Sequence, residues 1–313
     1  MSETRDVLPE PLADATGADP GLLDVAVQAA RAAGAVALHG FRGPMQVRSK
    51  GGKDIVTQYD TAAEQVAVQV IRSHYPHHHI LAEEGGALTS GEGEQRGRDA
   101  GTPTETVDTG TGLGLLWTVD PIDGTHNYAA QLPFWCVSVA VSTRQGIPLA
   151  GVVFDPVHDE LFSATRGGGA FLNGTPMRVS ATADLSEAFA ASDIGYRPEV
   201  AGHMLFLAGW VQPRVKRWRL LGSAVLAMAY VAAGRFDVYF HLSLQPWDLG
   251  AASLVVQEAG GLVTDWQGKP LGAEGSDGIY TRSVLVSNGI LHPRLMTMLN
   301  SGLKESEGRK RQI

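Results

Sequence analysis

Apolar residues form two kinds of pattern along this chain. A spacing of three and four predicts a helix after Asp19 and Pro20, which would supply its N-cap and first-turn proline, a second helix after Asp60, and a third at Gly222–Ala233. Short apolar runs without that spacing predict strands. These runs lie at Ile80–Ala82, Leu115–Val119, Phe134–Val141, Leu149–Phe154, Glu160–Ala164, Phe236–Leu242, Leu262–Asp265 and Val284–Ser287.

The elements suggest two lobes. We expect residues 1–18 to be disordered and residues 19–182 to form an N-terminal α+β lobe. Strands alternate with helices in residues 183–301, which is typical of an α/β layer and ends in a helix near Pro293–Asn300. Residues 302–313 form a basic tail that we expect to be frayed.

Polar and glycine-rich segments connect the elements. Residues 42–53 are basic around Gly51 and Gly52 and predict a mobile loop. Residues 85–114 contain almost no apolar side chains and predict a long insertion of about thirty residues, the kind that is functional or disordered. Gly167–Gly169 and Asn173–Gly174 predict hairpin turns.

Composition narrows the class of protein. The 313 residues suffice for one large or two moderate domains, and a net charge of −8 argues against nucleic acid as the main partner. No uninterrupted apolar run reaches the ~18 residues that span a bilayer, and the acidic N-terminus lacks signal-peptide character. The single cysteine, Cys136, lies in an apolar run and excludes an intrachain disulfide. We therefore expect a cytoplasmic protein without a membrane partner.

Two aspartates three positions apart carry the strongest chemical signal. Asp120 ends an apolar run, Pro121 interrupts strand pairing, Asp123 follows, and Gly124 permits a sharp turn before Thr125. At roughly 4 Å two such charges repel by about 4 kcal/mol at an effective dielectric near 20. Either one carboxyl is protonated or a hard cation such as Mg²⁺ lies between them. An ordinary Asp-Pro and Asp-Gly turn is the alternative.

Glu83 and Glu84 form a second acidic feature, directly after another apolar run. Neighbouring residues on a strand face opposite sides, so we expect one carboxylate at the metal and the other in solvent or supporting the site. A solvated loop pair is the alternative.

Asp60 and Asp248 precede predicted helices. Thr61 and Glu64 have the spacing of a capping box, so Asp60 can be a neighbour of the cap. Asp248 can be the N-cap of a helix that ends at Gly260–Gly261. Capping alone would explain both aspartates.

Taken together, the acidic stretches resemble the inositol monophosphatase family of Mg²⁺-dependent, lithium-sensitive phosphatases. The chain carries DIVTQYD, AEEGG, WTVDPIDGTHNY and WDLGAASLVVQEAGG in the family's order, over roughly Asp19 to Leu299. The resemblance implies a layered α-β-α-β-α sandwich in two lobes, with the metal site between them. It also implies two to three Mg²⁺ ions, a small phosphorylated metabolite as substrate, and a homodimer.

The resemblance assigns metal ligands residue by residue. Glu83, Asp120 and the carbonyl of Ile122 would hold one Mg²⁺. Asp120, Asp123 and Asp248 would hold a second, with Asp120 bridging, and a third ion would bind loosely near Glu83.

Catalytic and phosphate-binding roles follow in the same way. Asp60 would orient Thr125, Thr125 would position the attacking water, and Glu84 would belong to the catalytic group. Amides of Gly124 and Thr125 would meet the phosphate at a helix N-terminus. Lys50 would approach the phosphate or a metal-bound water, with a solvated lysine as the alternative.

Substrate contacts are implied for the second lobe. Ser223 and Ala224, in a turn that resembles the family's R-x-x-G-[ST]-A, would face substrate hydroxyls. His241 stands where inositol-selective members place a glutamate, so the two acceptors of a carboxylate are missing. Its alternative is a surface histidine on an edge strand. For His77–His79 an exposed loop is favoured over a metal site.

The function expected from this pattern is Mg²⁺-dependent hydrolysis of a small phosphate monoester by activated water. Inositol monophosphate, a sugar phosphate or a polyol phosphate would be the substrate. A related phosphatase acting on fructose bisphosphate, histidinol phosphate or a nucleotide 3′-phosphate is the alternative within the class. A regulatory binding protein on the same fold is the alternative outside it.

Overall fold

The computed structural model describes residues 21–88, 114–273 and 275–310. The predicted cap at Asp19 and Pro20, the predicted disordered segment and most of the predicted insertion lie outside these ranges. The helices are α1 Gly21–Gly40, α2 Gln58–His74, α3 Thr125–Ala129, α4 Pro198–Val211, α5 Ala224–Ala232, α6 Pro246–Glu258 and α7 His292–Lys310.

Strands account for most remaining elements. They are β1 Val47–Gly51, β2 Asp54–Thr57, β3 His79–Ala82, β4 Gly86–Leu88, β5 Leu116–Asp123, β6 Cys136–Ser142, β7 Pro148–Asp155, β8 Glu160–Thr165, β9 Gly169–Leu172, β10 Thr175–Pro176, β11 Phe189–Ser192, β12 Arg217–Leu220, β13 Val238–His241, β14 Leu262–Thr264 and β15 Val284–Ser287. Every predicted strand is present, and the predicted turns at Gly167–Gly169 and Asn173–Gly174 connect β8, β9 and β10.

The strands form three sheets. An eight-stranded sheet has the order β10-β9-β8-β7-β6-β5-β3-β4, in which only β3 and β5 pair in parallel. A five-stranded sheet has the order β12-β11-β13-β15-β14, with β11 parallel to both of its neighbours. Strands β1 and β2 form a separate antiparallel hairpin.

Three apolar cores separate five layers. One core joins α1 and α2 to a face of the large sheet, a second places α5 and α6 between the two sheets, and a third joins α4 and α7 to the small sheet. The predicted α-β-α-β-α sandwich is therefore confirmed. Helix α1 is long and apolar enough to cross a membrane, but its apolar side packs on α2 and β7.

Helix α6 lies very close to the large sheet. A Cβ at Gly151 of β7 would lie 2.7 Å from Cα of Ala251, and a Cβ at Gly250 would lie 2.5 Å from the Thr118 hydroxyl. The Ser138 hydroxyl of β6 donates to the Trp247 carbonyl at 3.1 Å. Small residues thus let the first turn of α6 meet the carboxyl end of β5.

Two predicted connections differ from the structure. Residues 42–53, predicted as a mobile loop, contain β1 and lead into β2. The register shifts between Ser49 and Gly51, where the left-handed backbone at Gly51 and Gly52 closes a hairpin. The C-terminal helix is also longer than predicted and continues to Lys310, into the segment expected to be frayed. The proposed lobe boundaries stay predictions.

Candidate metal and phosphate site

A bulge in β5 places two aspartates on one side of the sheet. Asp120 pairs with Ser138 and Asp123 pairs with Cys136, so three steps on β5 oppose two steps on β6. In a regular strand, residues three apart would face opposite sides; the extra residue brings both carboxylates together. Pro121, which cannot donate a ladder hydrogen bond, lies inside the bulge.

Asp248 joins this pair from the first turn of α6. One carboxylate oxygen from each of Asp120, Asp123 and Asp248 lies within 4.8 Å of the others. All three donors are oxygens, the atoms preferred by hard cations such as Mg²⁺. The cluster is therefore a candidate divalent metal site.

Electrostatics in the metal-free cluster favour cation binding. Burial raises the pKa of Asp120 well above its usual range, and Glu83, Asp123 and Asp248 raise it further. Burial and the nearby charge of Asp123 also raise the pKa of Asp248. Burial also raises the pKa of Asp123 to about 7, although donors to its carboxylate oppose the shift. A divalent cation would relieve this like-charge repulsion.

Helix capping differs in register from the prediction. The N-cap of α2 is Thr57, which forms a capping box with Asp60, so the spacing noted at Thr61 has no capping role. The N-cap of α6 is Gln245, and Asp248 is the third helical residue whose Oδ2 accepts from the Gln245 amide at 2.8 Å. The prediction that Asp248 is itself the N-cap was wrong; both aspartates cap their helices and also face the site.

Asp60 and Thr125, distant in the sequence, meet in the structure. The Thr125 hydroxyl lies 3.1 Å from Oδ1 of Asp60 and 3.1 Å from the Ile122 carbonyl oxygen. The other oxygen of Asp60 accepts from the Thr57 amide at 2.8 Å. Burial raises the pKa of Asp60 to about 6, while these donors lower it. The carboxylate is therefore ionised near pH 7.5 and holds the Thr125 hydroxyl.

Lys50 connects the β1–β2 hairpin to both glutamates. Its Nζ lies 2.8 Å from Oε1 of Glu83 and 2.8 Å from Oε1 of Glu84, and its side chain is 13% exposed. Burial alone would lower the pKa of Lys50, but the two carboxylates raise it. The expectation of opposite-facing glutamates fails because β3 ends at Ala82, and the solvated-lysine alternative is wrong.

The turn before α5 supports Asp123. Ser223 is the N-cap of α5, and its hydroxyl donates to Oδ2 of Asp123 in a short hydrogen bond. The Val225 amide donates to the same oxygen at 2.9 Å. Gly124 has φ +96°, and a Cβ there would lie 3.1 Å from the Gly222 carbonyl oxygen. The proposed substrate residues Ser223 and Ala224 thus adjoin a proposed metal ligand; their contact with substrate stays a prediction.

His241 is buried within the small sheet. It lies on β13, which pairs with β11 and β15, and is 3% exposed, so the edge-strand alternative is wrong. Burial lowers its pKa to about 4, and its Nδ1 accepts from the Ser243 amide at 3.0 Å. The imidazole is therefore neutral at pH 7.

The histidines at 77–79 make more contacts than the exposed loop that was predicted for them. His78 accepts a hydrogen bond from the Trp117 indole at 3.0 Å and stacks on Tyr75, with ring centroids 4.6 Å apart. His79 lies 2.9 Å from Arg144. Two of these residues brace β3 and β5, and only His77 is exposed.

Sequence reasoning missed three residues beside the site. Glu64 accepts from the Glu84 amide at 2.7 Å, and burial raises the pKa of Glu64 to about 7. Asp193 accepts from the Gly222 amide at 2.7 Å, and the Cys136 sulfur lies 3.8 Å from Asp123 Oδ2. The capping spacing noted for Glu64 did not indicate its place beside the site, and no local motif singles out Asp193 or Cys136, so only the fold reveals the three.

The sequence and the fold match those of known proteins. Residues 21–306 match a family profile described as the inositol monophosphatase family. Over 287 residues the chain is 35% identical to Nus factor SuhB of Escherichia coli K12, covering 91% of this chain and 96% of the relative. It is 34% identical to inositol monophosphatase 2 of Solanum lycopersicum, covering 89% and 97%.

Solved structures agree with these relatives. A Thermotoga maritima IMPase superposes with a TM-score of 0.75 at 33% identity, covering 91% of this chain and 98% of that chain. SuhB from Bartonella henselae gives the same score and identity, covering 89% and 98%. The chain therefore belongs to the inositol monophosphatase family.

Proposed function

We propose that this chain is a Mg²⁺-dependent phosphatase that hydrolyses a small phosphate monoester in the cytoplasm. The observation that carries the proposal is the carboxylate cluster of the buried Asp120 with the half-buried Asp123 and Asp248, to which the large sheet and the first turn of α6 both contribute. Proteins seldom place like charges together away from solvent without a counter-charge, because desolvation and mutual repulsion both destabilise the ionised carboxylates.

The donor set fits two or three Mg²⁺ ions. Glu83, Asp120 and the Ile122 carbonyl would hold one ion, and Asp120, Asp123 and Asp248 a second. Bound Mg²⁺ would polarise the phosphoryl group, activate water and stabilise the leaving oxygen. With Glu83 on the cation, Lys50 would keep its contact with Glu84 and would be available to the phosphate.

Thr125 orients the attacking water. Its hydroxyl lies 3.1 Å from Oδ1 of Asp60 and from the Ile122 carbonyl oxygen, and when the proton is donated to Asp60 the lone pairs can accept a hydrogen bond from that water. Glu84 lies near this pair, since its charge contributes to the raised pKa of Asp60. Asp60, Thr125 and Glu84 thus form a proton-accepting group on one side of the phosphorus.

Amides of Gly124 and Thr125 bind the phosphate. The left-handed backbone of Gly124 begins the helical turn of α3. Because α3 has five residues, its dipole adds little, and the two amides act as local donors. The side chain of Lys50 supplies the neighbouring positive charge.

The organic half of the substrate faces the second lobe, near Ser223, Ala224 and His241. A neutral histidine offers fewer acceptors to sugar hydroxyls than a glutamate would. Sugar and polyol phosphates other than inositol monophosphate, fructose bisphosphate, histidinol phosphate and nucleotide 3′-phosphates are the candidate substrates.

A phosphate-release screen tests the proposal. Purified protein is incubated with a panel of phosphorylated metabolites in Mg²⁺, in EDTA, and in Mg²⁺ with increasing Li⁺. We expect release that EDTA abolishes and that millimolar Li⁺ inhibits, as the family resemblance implies. A panel without Mg²⁺-dependent turnover would contradict the proposal.

A second candidate function is regulatory binding. Several relatives near 35% identity are named Nus factors, which favours a protein partner alongside or instead of catalysis. Affinity capture with the wild type and with Asp120→Asn separates the two functions. A partner retained equally by both would support binding independent of hydrolysis. Sedimentation of the same proteins tests the proposed homodimer.

A further inference from the structure

The segment that follows β11 crosses the site on the side of the second lobe. Asp193 accepts hydrogen bonds from the Gly222 amide at 2.7 Å and from the Tyr239 hydroxyl at 3.0 Å. Gly195 has φ +77°, and a Cβ there would lie 3.5 Å from Cε1 and Nε2 of His241. Both contacts hold the segment against the residues expected to face the organic half of the substrate.

Tyr196 carries this segment over to the first lobe. Its ring and that of His126 have centroids 5.5 Å apart and are tilted by 41°. His126 follows Thr125 directly, and its Nε2 lies 2.8 Å from the Lys53 carbonyl oxygen in the β1–β2 hairpin. Tyr196 is 52% exposed and His126 is exposed, so both rings keep surface available to a ligand.

The phenol of Tyr196 lies within the field of the carboxylate cluster. Desolvation raises its pKa above the usual value, and the charges of Asp54, Asp123, Glu83 and Asp248 raise it further. Together with the contacts of Tyr196 to His126, next to Thr125, and of Gly195 to His241, this places the ring beside the cluster, on the side expected to face the alcohol half of an ester.

We propose that Tyr196 and His126 form an aromatic rim that binds the alcohol half of the substrate and favours esters of aromatic alcohols over esters of saturated ones. The inference rests on the proposed phosphatase function. Aromatic faces attract flat rings in offset or edge-to-face arrangements, beyond simple area burial. The neutral His241 fits the same preference, because it replaces a carboxylate that would bind hydroxyls.

A matched pair of esters tests the rim. Phenyl phosphate and cyclohexyl phosphate have rings of similar size, and comparing each variant with the wild type cancels their different intrinsic reactivity. We expect Tyr196→Ala to lower kcat/KM for phenyl phosphate about two- to tenfold more than for cyclohexyl phosphate. Tyr196→Phe should keep the wild-type ratio. Leu205→Ala, which removes a side chain 54% exposed on α4, is the control and should change neither ester.

A binding measurement separates the rim from the chemistry. Dissociation constants of phenylphosphonate and cyclohexylphosphonate, measured calorimetrically in Mg²⁺, should show the same dependence on Tyr196 without turnover. If the wild type hydrolyses neither these esters nor any phosphate ester of the metabolite panel in Mg²⁺, while phenylphosphonate binds in a Tyr196-dependent way, the phosphatase proposal fails and the rim stands. Unchanged ratios in Tyr196→Ala, or an equal loss in Tyr196→Phe, would overturn the rim.

Discussion

Two buried aspartates on strands of the large sheet, Asp155 at the end of β7 and Asp120 near the end of β5, differ in what surrounds them. Asp155 ends β7 and accepts from the Val157 amide at 2.9 Å, the His158 amide at 3.2 Å and the His158 ring at 2.7 Å. Asp120 accepts from one amide, that of Ile122, at 3.1 Å. Burial raises the pKa of both, but the donors lower it at Asp155, whereas nearby acids raise it further at Asp120.

The comparison shows that burial of a carboxylate does not by itself indicate function. Asp155 is fully satisfied within a turn and needs nothing from outside the chain. Asp120 accepts from a single amide and faces other acids, so a nearby cation would stabilise its ionised form. The balance between donors and like charges separates a structural aspartate from a ligand.

Replacing each aspartate by asparagine should give the largest difference between Asp120 and Asp155, in both activity and stability. Asp120→Asn should lower Mg²⁺-dependent phosphate release by on the order of a thousandfold, because charge stabilisation at phosphorus depends on the cation. In the absence of metal it should also raise the free energy of unfolding by about 1 kcal/mol, because repulsion between the carboxylates is relieved.

Asp155→Asn should keep activity and should lower the free energy of unfolding by about 1–3 kcal/mol. Phosphate assays and urea unfolding in EDTA measure both; full activity in Asp120→Asn would contradict the account.

The next largest effect should be the pH dependence of stability in the absence of metal. The pKa of Asp123 is raised from 3.8 to about 7 on folding, so the native state binds its proton more tightly than the unfolded state. In EDTA, stability should therefore be highest below about pH 4 for this group and fall as pH rises towards 7, by about 1.4 kcal/mol per unit. Thermal unfolding between pH 5 and 8 measures the slope. Excess Mg²⁺, which binds the ionised form, or Asp123→Asn should flatten it; an equal slope in all three would exclude the cluster as its source.

Adding a carboxylate at position 241 should change the substrate preference. His241→Glu restores two acceptors for hydroxyls, and we expect kcat/KM for inositol monophosphate to rise about tenfold relative to the best substrate of the wild type. His241→Gln, similar in size but uncharged, is the control. Paired kinetics on both substrates measure the ratio. An unchanged ratio in His241→Glu would mean that this residue does not contact substrate.

Removing the insertion should have the smallest effect, since it belongs to neither group of aspartates. β4 pairs Leu88 with Ile80, so the deletion must begin after that strand. Replacing residues 90–112 by a short Gly-Ser linker should change stability by less than about 0.5 kcal/mol, because closure entropy varies slowly with loop length. Melting temperature measures the change. A loss of several degrees would show that the segment packs on the body or on a second subunit.

Most of the layers could be predicted because their central strands are short apolar runs and their long helices carry an apolar stripe, whereas the basic strands β1 and β12 were not predicted. The carboxylate motifs also came together as expected, since Asp120 and Asp123 share one strand end. Details set by tertiary register were not predictable. The bulge that aligns the two aspartates depends on pairing with Cys136 and Ser138, and the hairpin that carries Lys50 to Glu83 depends on contacts outside its own sequence.

The central claim is that the cluster around Asp120 is a cation site. Titration of Mn²⁺, a paramagnetic substitute for Mg²⁺, followed by electron paramagnetic resonance, counts the ions bound per chain. We predict two or more sites in the wild type, loss of the tightest site in Asp120→Asn, and wild-type stoichiometry in Asp155→Asn. Equal Mn²⁺ binding by all three proteins, or none by the wild type, would contradict the claim.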